Sequence, residues 1–194
     1  MLFADVVGSS AVAEQFTAAE TLQWLNQGME RFVTAVIASG GMVNKFTGDG
    51  FLAVFGVPIP QSPAQSASQA IHCAACLQQV VQELEETLQQ QGSPALKLRV
   101  GLHSGEVIAG SMGSSERMEF AVIGDVVNVC ARLEALEKER MPSSCRVLLS
   151  DQTKELLPEE QQINLLSWGL MPVKGRNQPV AVYELERPSQ RTGN

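Results

Sequence analysis

No apolar run in this 194-residue chain approaches the roughly 20 residues that a bilayer-spanning helix requires, which excludes a transmembrane segment. A basic leader is missing as well. The chain opens Met1-Leu2-Phe3-Ala4-Asp5, an acid standing where a secretory signal would carry positive charge, so no signal peptide is expected. Cysteine is scarce: Cys73, Cys76, Cys130 and Cys145 are too few and too scattered for a secreted disulfide framework. Cys73 and Cys76 form a C-x-x-C inside a helical-looking run, but no second Cys or His pair completes a metal set. The thiols are expected to be buried, in a cytoplasmic protein. Positive charge is the other shortage, 14 Lys plus Arg against 21 Asp plus Glu for a formal charge of −7. A duplex-binding surface needs the opposite balance, which argues against nucleic acid as a partner. A polyanionic small molecule would need local cations or metal ions to neutralise it.

What is present is a globular composition, 44% hydrophobic and 18% charged, with the length of one domain. Residues 1–7 read as a buried strand that delivers Asp5 near its end, before Gly8-Ser9-Ser10. Helical spacing over 11–39 makes an apolar stripe from Phe16 to Val36, with Thr17 or Thr21 as a cap and Gly40-Gly41 as the stop. Strands are expected at 42–46 and 51–55, joined by a tight hairpin at the Asp49-Gly50 pair. A proline-bearing loop covers 57–66, and a long helix covers 67–90. Residues 96–103 and 106–110 read as a strand pair about Ser104-Gly105. Another strand covers 119–123, and Gly124-Asp125 opens a helix running to about 139. Strands at 146–149, 163–170 and 180–185, with a short helix after Ser150, complete the pattern. This order predicts an α/β (α+β) sandwich of ferredoxin-like type, an antiparallel-rich central sheet flanked by helices. One domain is expected over 1–187, with a tail at 188–194.

Asp5 and Asp49 each sit where an apolar strand meets a glycine-containing turn. If those strands are neighbours, two carboxylates meet at one sheet end, and a divalent cation compensates them. The bland alternative is a turn cap and a hairpin residue. Asn128 and Arg132, four apart on a helix, share a face and suit an oxygen that gains charge, although an exposed pair is the commoner occurrence. Lys45, Arg99 and Lys174 stand beside glycine-containing turns and suit phosphate contacts in an acidic protein.

Four blocks together resemble class III nucleotidyl cyclases of bacterial, cyanobacterial type. They are Phe3-Ala4-Asp5-Val6-Val7-Gly8, Lys45-Phe46-Thr47-Gly48-Asp49-Gly50, Arg99-Val100-Gly101-Leu102-His103-Ser104-Gly105 and Ile123-Gly124-Asp125-Val126-Val127-Asn128-Val129-Cys130-Ala131-Arg132-Leu133-Glu134. Val173-Lys174-Gly175 follows in the same order. The resemblance implies the nucleotidyl cyclase fold and a homodimer with two shared sites that turn a nucleoside triphosphate into a 3′,5′-cyclic nucleotide and pyrophosphate. It implies two Mg²⁺ or Mn²⁺ ions on Asp5, Asp49 and the Val6 carbonyl, with Arg99 of the same subunit on the terminal phosphates. Lys45 would meet the base, Asn128 the ribose, Arg132 the α-phosphate and Lys174 the phosphate tail, all from the other subunit. The amides of Gly8, Ser9 and Ser10 are expected to cradle phosphate. His103 is not expected to serve as a general base, because metal ions activate the hydroxyl.

In the resembled family a lysine at Lys45 selects adenine, and a Thr or Asp at the place of Ala121 accepts from the adenine amino group. Ala121 offers only its backbone carbonyl, so ATP is favoured and GTP is the alternative. Where the family commonly has an aromatic before a threonine, this chain has Ser9-Ser10. The start so close to Asp5 suggests a shortened first strand and upstream sensor domains. An inactive nucleotide-binding module is disfavoured because both acids and Arg132 are present. A diguanylate cyclase is disfavoured because Thr47-Gly48-Asp49-Gly50-Phe51 is not that family's hairpin.

Overall fold

The computed structural model describes residues 1–173 and 178–186. Lys174 and the expected tail lie outside the described residues. The first strand, β1 (Leu2–Val7), is followed by helices α1 (Ser9–Gln15) and α2 (Ala18–Ala38). The single helix expected over 11–39 is therefore two. Thr17 breaks it by forming a capping box with Glu20, which satisfies free amides at the start of α2 and favours a new helix over a continuous one.

Next come β2 (Met42–Thr47), β3 (Gly50–Val54) and α3 (Pro63–Gln90). The β2–β3 turn is centred on Gly48 and Asp49 rather than on Asp49-Gly50. Gly48 takes the left-handed backbone (φ 73°), and Gly50 is a strand residue where an added Cβ would stand 2.3 Å from the Ala4 carbonyl oxygen. Helix α3 starts inside the expected loop, because Ser62 caps it and Pro63 is tolerated in the first turn.

The remaining strands are β4 (Lys97–Leu102), β5 (Ile108–Gly113), β6 (Met118–Ile123), β7 (Cys145–Ser150), β8 (Leu165–Met171) and β9 (Val180–Leu185). Helix α4 (Asp125–Glu134) lies between β6 and β7, and two single-turn helices, α5 (Asp151–Lys154) and α6 (Glu159–Gln162), follow β7. Seven strands form a mixed sheet in the order β2-β3-β1-β4-β7-β9-β8, antiparallel except for β4 with β7. The expected pairing of 96–103 with 106–110 does not occur. Both edges of β4 are taken by β1 and β7, so β5 pairs with β6 in a separate hairpin. That hairpin exposes Ile108, Met112, Met118 and Ile123.

Helices α2 and α3 cover one face of the sheet. Trp24, Phe32, Val36, Leu77, Val81 and Leu84 pack there with Leu2, Ala4, Val6, Leu98, Val100, Leu102, Val147 and Leu149. By strand alternation Asp5, Arg99, Gly101 and Arg146 fall on the opposite face, where α4 lies. Gly101 makes that packing possible. A Cβ there would stand 2.3 Å from the Cys130 carbonyl oxygen and 2.5 Å from the Glu134 amide nitrogen, both backbone atoms that cannot step aside. Gly101→Ala is expected to destabilise the fold by about 2–3 kcal/mol through overpacking. Thermal denaturation followed by circular dichroism should then show Tm lowered by roughly 6–10 °C.

Helix α4 stops at Glu134, five residues short of the expected end. Fully buried Arg146 explains the stop. Its guanidinium donates to the carbonyl oxygens of Glu134 (2.8 Å), Glu137 (2.7 Å) and Arg140 (2.8 Å), satisfying acceptors that a longer helix would have used internally. All four cysteines are free, with Cys76 half-buried and the others buried, and burial pushes the Cys73 thiol up to about 12 and Cys130 to about 11. No helix among the described residues is long and apolar enough to cross a membrane.

Candidate active site

Asp5 is directly opposite Gly50 on one side and Arg99 on the other. The first pairing sets Asp49, the residue before Gly50, beside Asp5, as the sequence anticipated. Asp5 is half-buried and its carboxyl is raised above the usual range, first by burial and then by the negative charge of Asp49, with Arg99 pulling the other way. Asp49 accepts a hydrogen bond from the Ser9 hydroxyl, so Ser9 braces the turn, while Gly8 and Ser10 lie exposed next to it at the start of α1. Val6 is buried in the strand.

Arg99 does not extend into open solvent. It is 7% exposed; its Nη2 donates to Asp5 Oδ2 at 2.7 Å and its Nε to Glu134 Oε1 at 2.6 Å. Glu134 was not singled out as a site residue from the sequence. Burial raises its carboxyl, and Arg99 opposes that shift. The signal was its position: Glu134 falls on the buried stripe of α4 with Val126, Val129, Cys130 and Leu133.

Four further anticipated residues lie on other elements, α4, β2 and β6. Asn128 is exposed and Arg132 half-buried, on the side of α4 turned away from its buried stripe. Lys45 is exposed on β2, and Ala121 half-buried on β6. The neighbours of these two are tied together: Asn44, the bulged residue where the β2–β3 register shifts, donates its amide N–H to the Phe120 carbonyl oxygen at 2.8 Å. Among the described residues neither Lys45 nor Arg132 forms an ion pair. His103 belongs to neither group. It is buried just past the far end of β4 with its Nδ1 2.8 Å from the Ser150 hydroxyl, remote from Arg99 along the strand.

The model of the adenylate and guanylate cyclase catalytic domain matches residues 1–187. The chain belongs to that family. An adenylate cyclase from Anabaena cylindrica is 28% identical over 192 residues, 96% of this chain and 36% of that protein. Adenylate cyclase 1 of Rhizobium meliloti is 26% identical, across 95% of this chain and 27% of its own length. The chain thus spans about a third of the curated relatives it matches. Among solved structures, the adenylyl cyclase CyaB from P. aeruginosa superposes with a TM-score of 0.87 at 26% identity, covering 99% of this chain and 95% of that one. The guanylyl cyclase Cya2 shares the fold with a TM-score of 0.83 at 24% identity, covering 99% and 93%. The expected family and the expected antiparallel-rich central sheet flanked by helices are both borne out.

Proposed function

We propose that this catalytic domain closes a nucleoside triphosphate, ATP in preference to GTP, into its 3′,5′-cyclic monophosphate in sites shared between two copies of the chain. The observation that carries the reading is the meeting of Asp5 and Asp49 at adjacent strand ends with Arg99 alongside. The donor set fits Mg²⁺ or Mn²⁺: two hard carboxylates, one of them raised by burial and then by the other's charge, a number that suits an ion completing its shell with phosphate and water. Asp5, Asp49 and the Val6 carbonyl would hold two such ions, which when bound make the 3′-hydroxyl more acidic and neutralise the triphosphate.

The chain's own residues supply orientation and charge. In-line attack by the 3′-oxygen forms its bond to the α-phosphorus as the bond to the bridging oxygen breaks, and pyrophosphate leaves with that electron pair. The hydroxyl proton passes to water. Arg99 and the amides of Gly8, Ser9 and Ser10 would hold the phosphate tail. Asn128 of the partner subunit would fix the ribose, Arg132 of the partner subunit would meet the charge growing on the α-phosphate, and Lys174 of the partner subunit would meet the tail. Exposed Ile108, Met112, Met118 and Ile123 on the β5–β6 hairpin favour a second copy as their cover.

Lys45 is a pure donor and suits adenine N1; Ala121 lends no side-chain acceptor, which weakens discrimination against GTP. Chromatographic analysis of products from ATP and from GTP tests the assignment. ATP is expected to give the higher kcat/KM, and Lys45→Glu is expected to lower the ATP value by about a hundredfold, because a donor to N1 becomes an acceptor. No cyclic product from either nucleotide would overturn the enzyme reading.

A further inference from the structure

Arg99 stands at the centre of a charged row that crosses three strands in register. Asp5 faces Arg99 across β1 and β4, and Arg99 faces Arg146 across β4 and β7. Two buried guanidiniums side by side need negative charge between them. Glu134 supplies it, pairing its carboxylate with Arg99 while its backbone carbonyl accepts from Arg146. The two carboxylates on Arg99 are unequal: the Glu134 side chain is 5% exposed, and that of Asp5 is 23% exposed. Solvent and ions therefore reach the Asp5 end of the bridge, and the Glu134 end is closed.

We propose that Asp5–Arg99 is an exchangeable latch and that Glu134 is the positioning residue that keeps Arg99 in place when the latch opens. This rests on the reading of Asp5 and Asp49 as the cation site. Arg99 is the counter-ion of Asp5. Were Asp5 to hold a divalent cation, Nη2 would lose its partner while Nε stayed on Glu134, so the freed edge of the guanidinium would face incoming anionic oxygens instead of wandering. Linkage is reciprocal: an anion that draws Nη2 from Asp5 raises cation affinity there, and the cation raises anion affinity. Glu134 also ends α4, which carries Asn128 and Arg132, so one carboxylate fixes Arg99 and the end of that helix.

The test uses Mn²⁺ alone, without nucleotide, with free ion counted by electron paramagnetic resonance. Arg99→Met is expected to bind Mn²⁺ about tenfold more tightly than the unaltered protein because the latch is gone. Lys138 also acts on Asp5 through its charge, but the structure gives the two no ion pair among the described residues, so Lys138→Met should shift the affinity by no more than about twofold. Equal shifts in both variants would overturn the latch. Should Arg99→Met fold poorly, nitrogen-15 NMR of the Arg99 Nε–H decides. On Mg²⁺ addition that proton is expected to stay protected from exchange in the unaltered protein and to lose protection at least about tenfold in Glu134→Gln. Loss of protection in Glu134→Gln before any Mg²⁺ is added, with no further change on addition, would assign Glu134 a purely structural role and overturn the proposal. Failure of the unaltered protein to bind Mn²⁺ would instead sink the cation site, and the latch with it; loss of that binding in Asp49→Asn upholds the site.

Discussion

Asp49→Asn is expected to lower cyclic nucleotide formation by at least about a thousandfold, equivalent to roughly 4 kcal/mol of lost transition-state stabilisation. The substitution removes one of the two charges of the proposed cation site and changes almost nothing else. Asp49 lies in a two-residue turn outside the core, and the amide oxygen of asparagine can still accept from Ser9. The stability cost should stay within about 1 kcal/mol, as for other turn positions that bury no apolar surface. Asp5→Asn is a less clean probe. It strips one carboxylate from a guanidinium only 8% exposed, leaving Arg99 on Glu134 alone and costing about 1–3 kcal/mol in addition to the lost chemistry. Unchanged melting together with absent product for Asp49→Asn therefore isolates the carboxylate's charge as the cause. Turnover above a tenth of the original would refute the cation assignment.

The strand ends that hold the acids were legible because their signal is local. An apolar run carrying one carboxylate shortly before a glycine reads as a strand offering that acid near a sheet end, and the pairing Asp5↔Gly50, which the sequence left conditional on the two strands being neighbours, brings the acids together. Arg99 was legible as a residue but not in its environment. Its two partners come from β1 and from the last turn of α4, 94 and 35 residues away in the chain, and no window reads such separations. Glu134 and Arg146 went unnoticed for a related reason. Each looked like an ordinary charge in its own segment, although Glu134 lies on a buried helical stripe and Arg146 sits inside an apolar strand in phase with Arg99. A charge on an apolar face is a demand for a partner, and reading the two demands together would have joined them. Strand partners were the least legible feature. That β4 would be sandwiched between β1 and β7, and that β5 would leave the main sheet for β6, depends on which edges are already filled, a property of the assembled sheet.

Mixing two inactive proteins, Asp5→Asn and Arg132→Ala, is expected to restore product formation. In a twofold-symmetric pair with shared sites, each mixed dimer has one site that takes both defects and one that takes neither. Random re-pairing at equal amounts makes half the dimers mixed, and one of two sites in each is intact, so the yield should approach about a quarter of the original activity. The geometry of α4 motivates the design. The helix turns Val126, Val129, Cys130, Leu133 and Glu134 toward the sheet that bears Asp5, so Asn128 and Arg132, at roughly 100° per residue, point away from it. A nucleotide touching both Asp5 and Arg132 is thus better served by two chains than by one. The two substitutions should also differ when alone. Arg132 forms no ion pair among the described residues, so Arg132→Ala should melt close to the original temperature, whereas Asp5→Asn should melt lower. Mixed dimers that form, as seen by affinity-tag co-purification, yet make no product would place the whole site within a single chain.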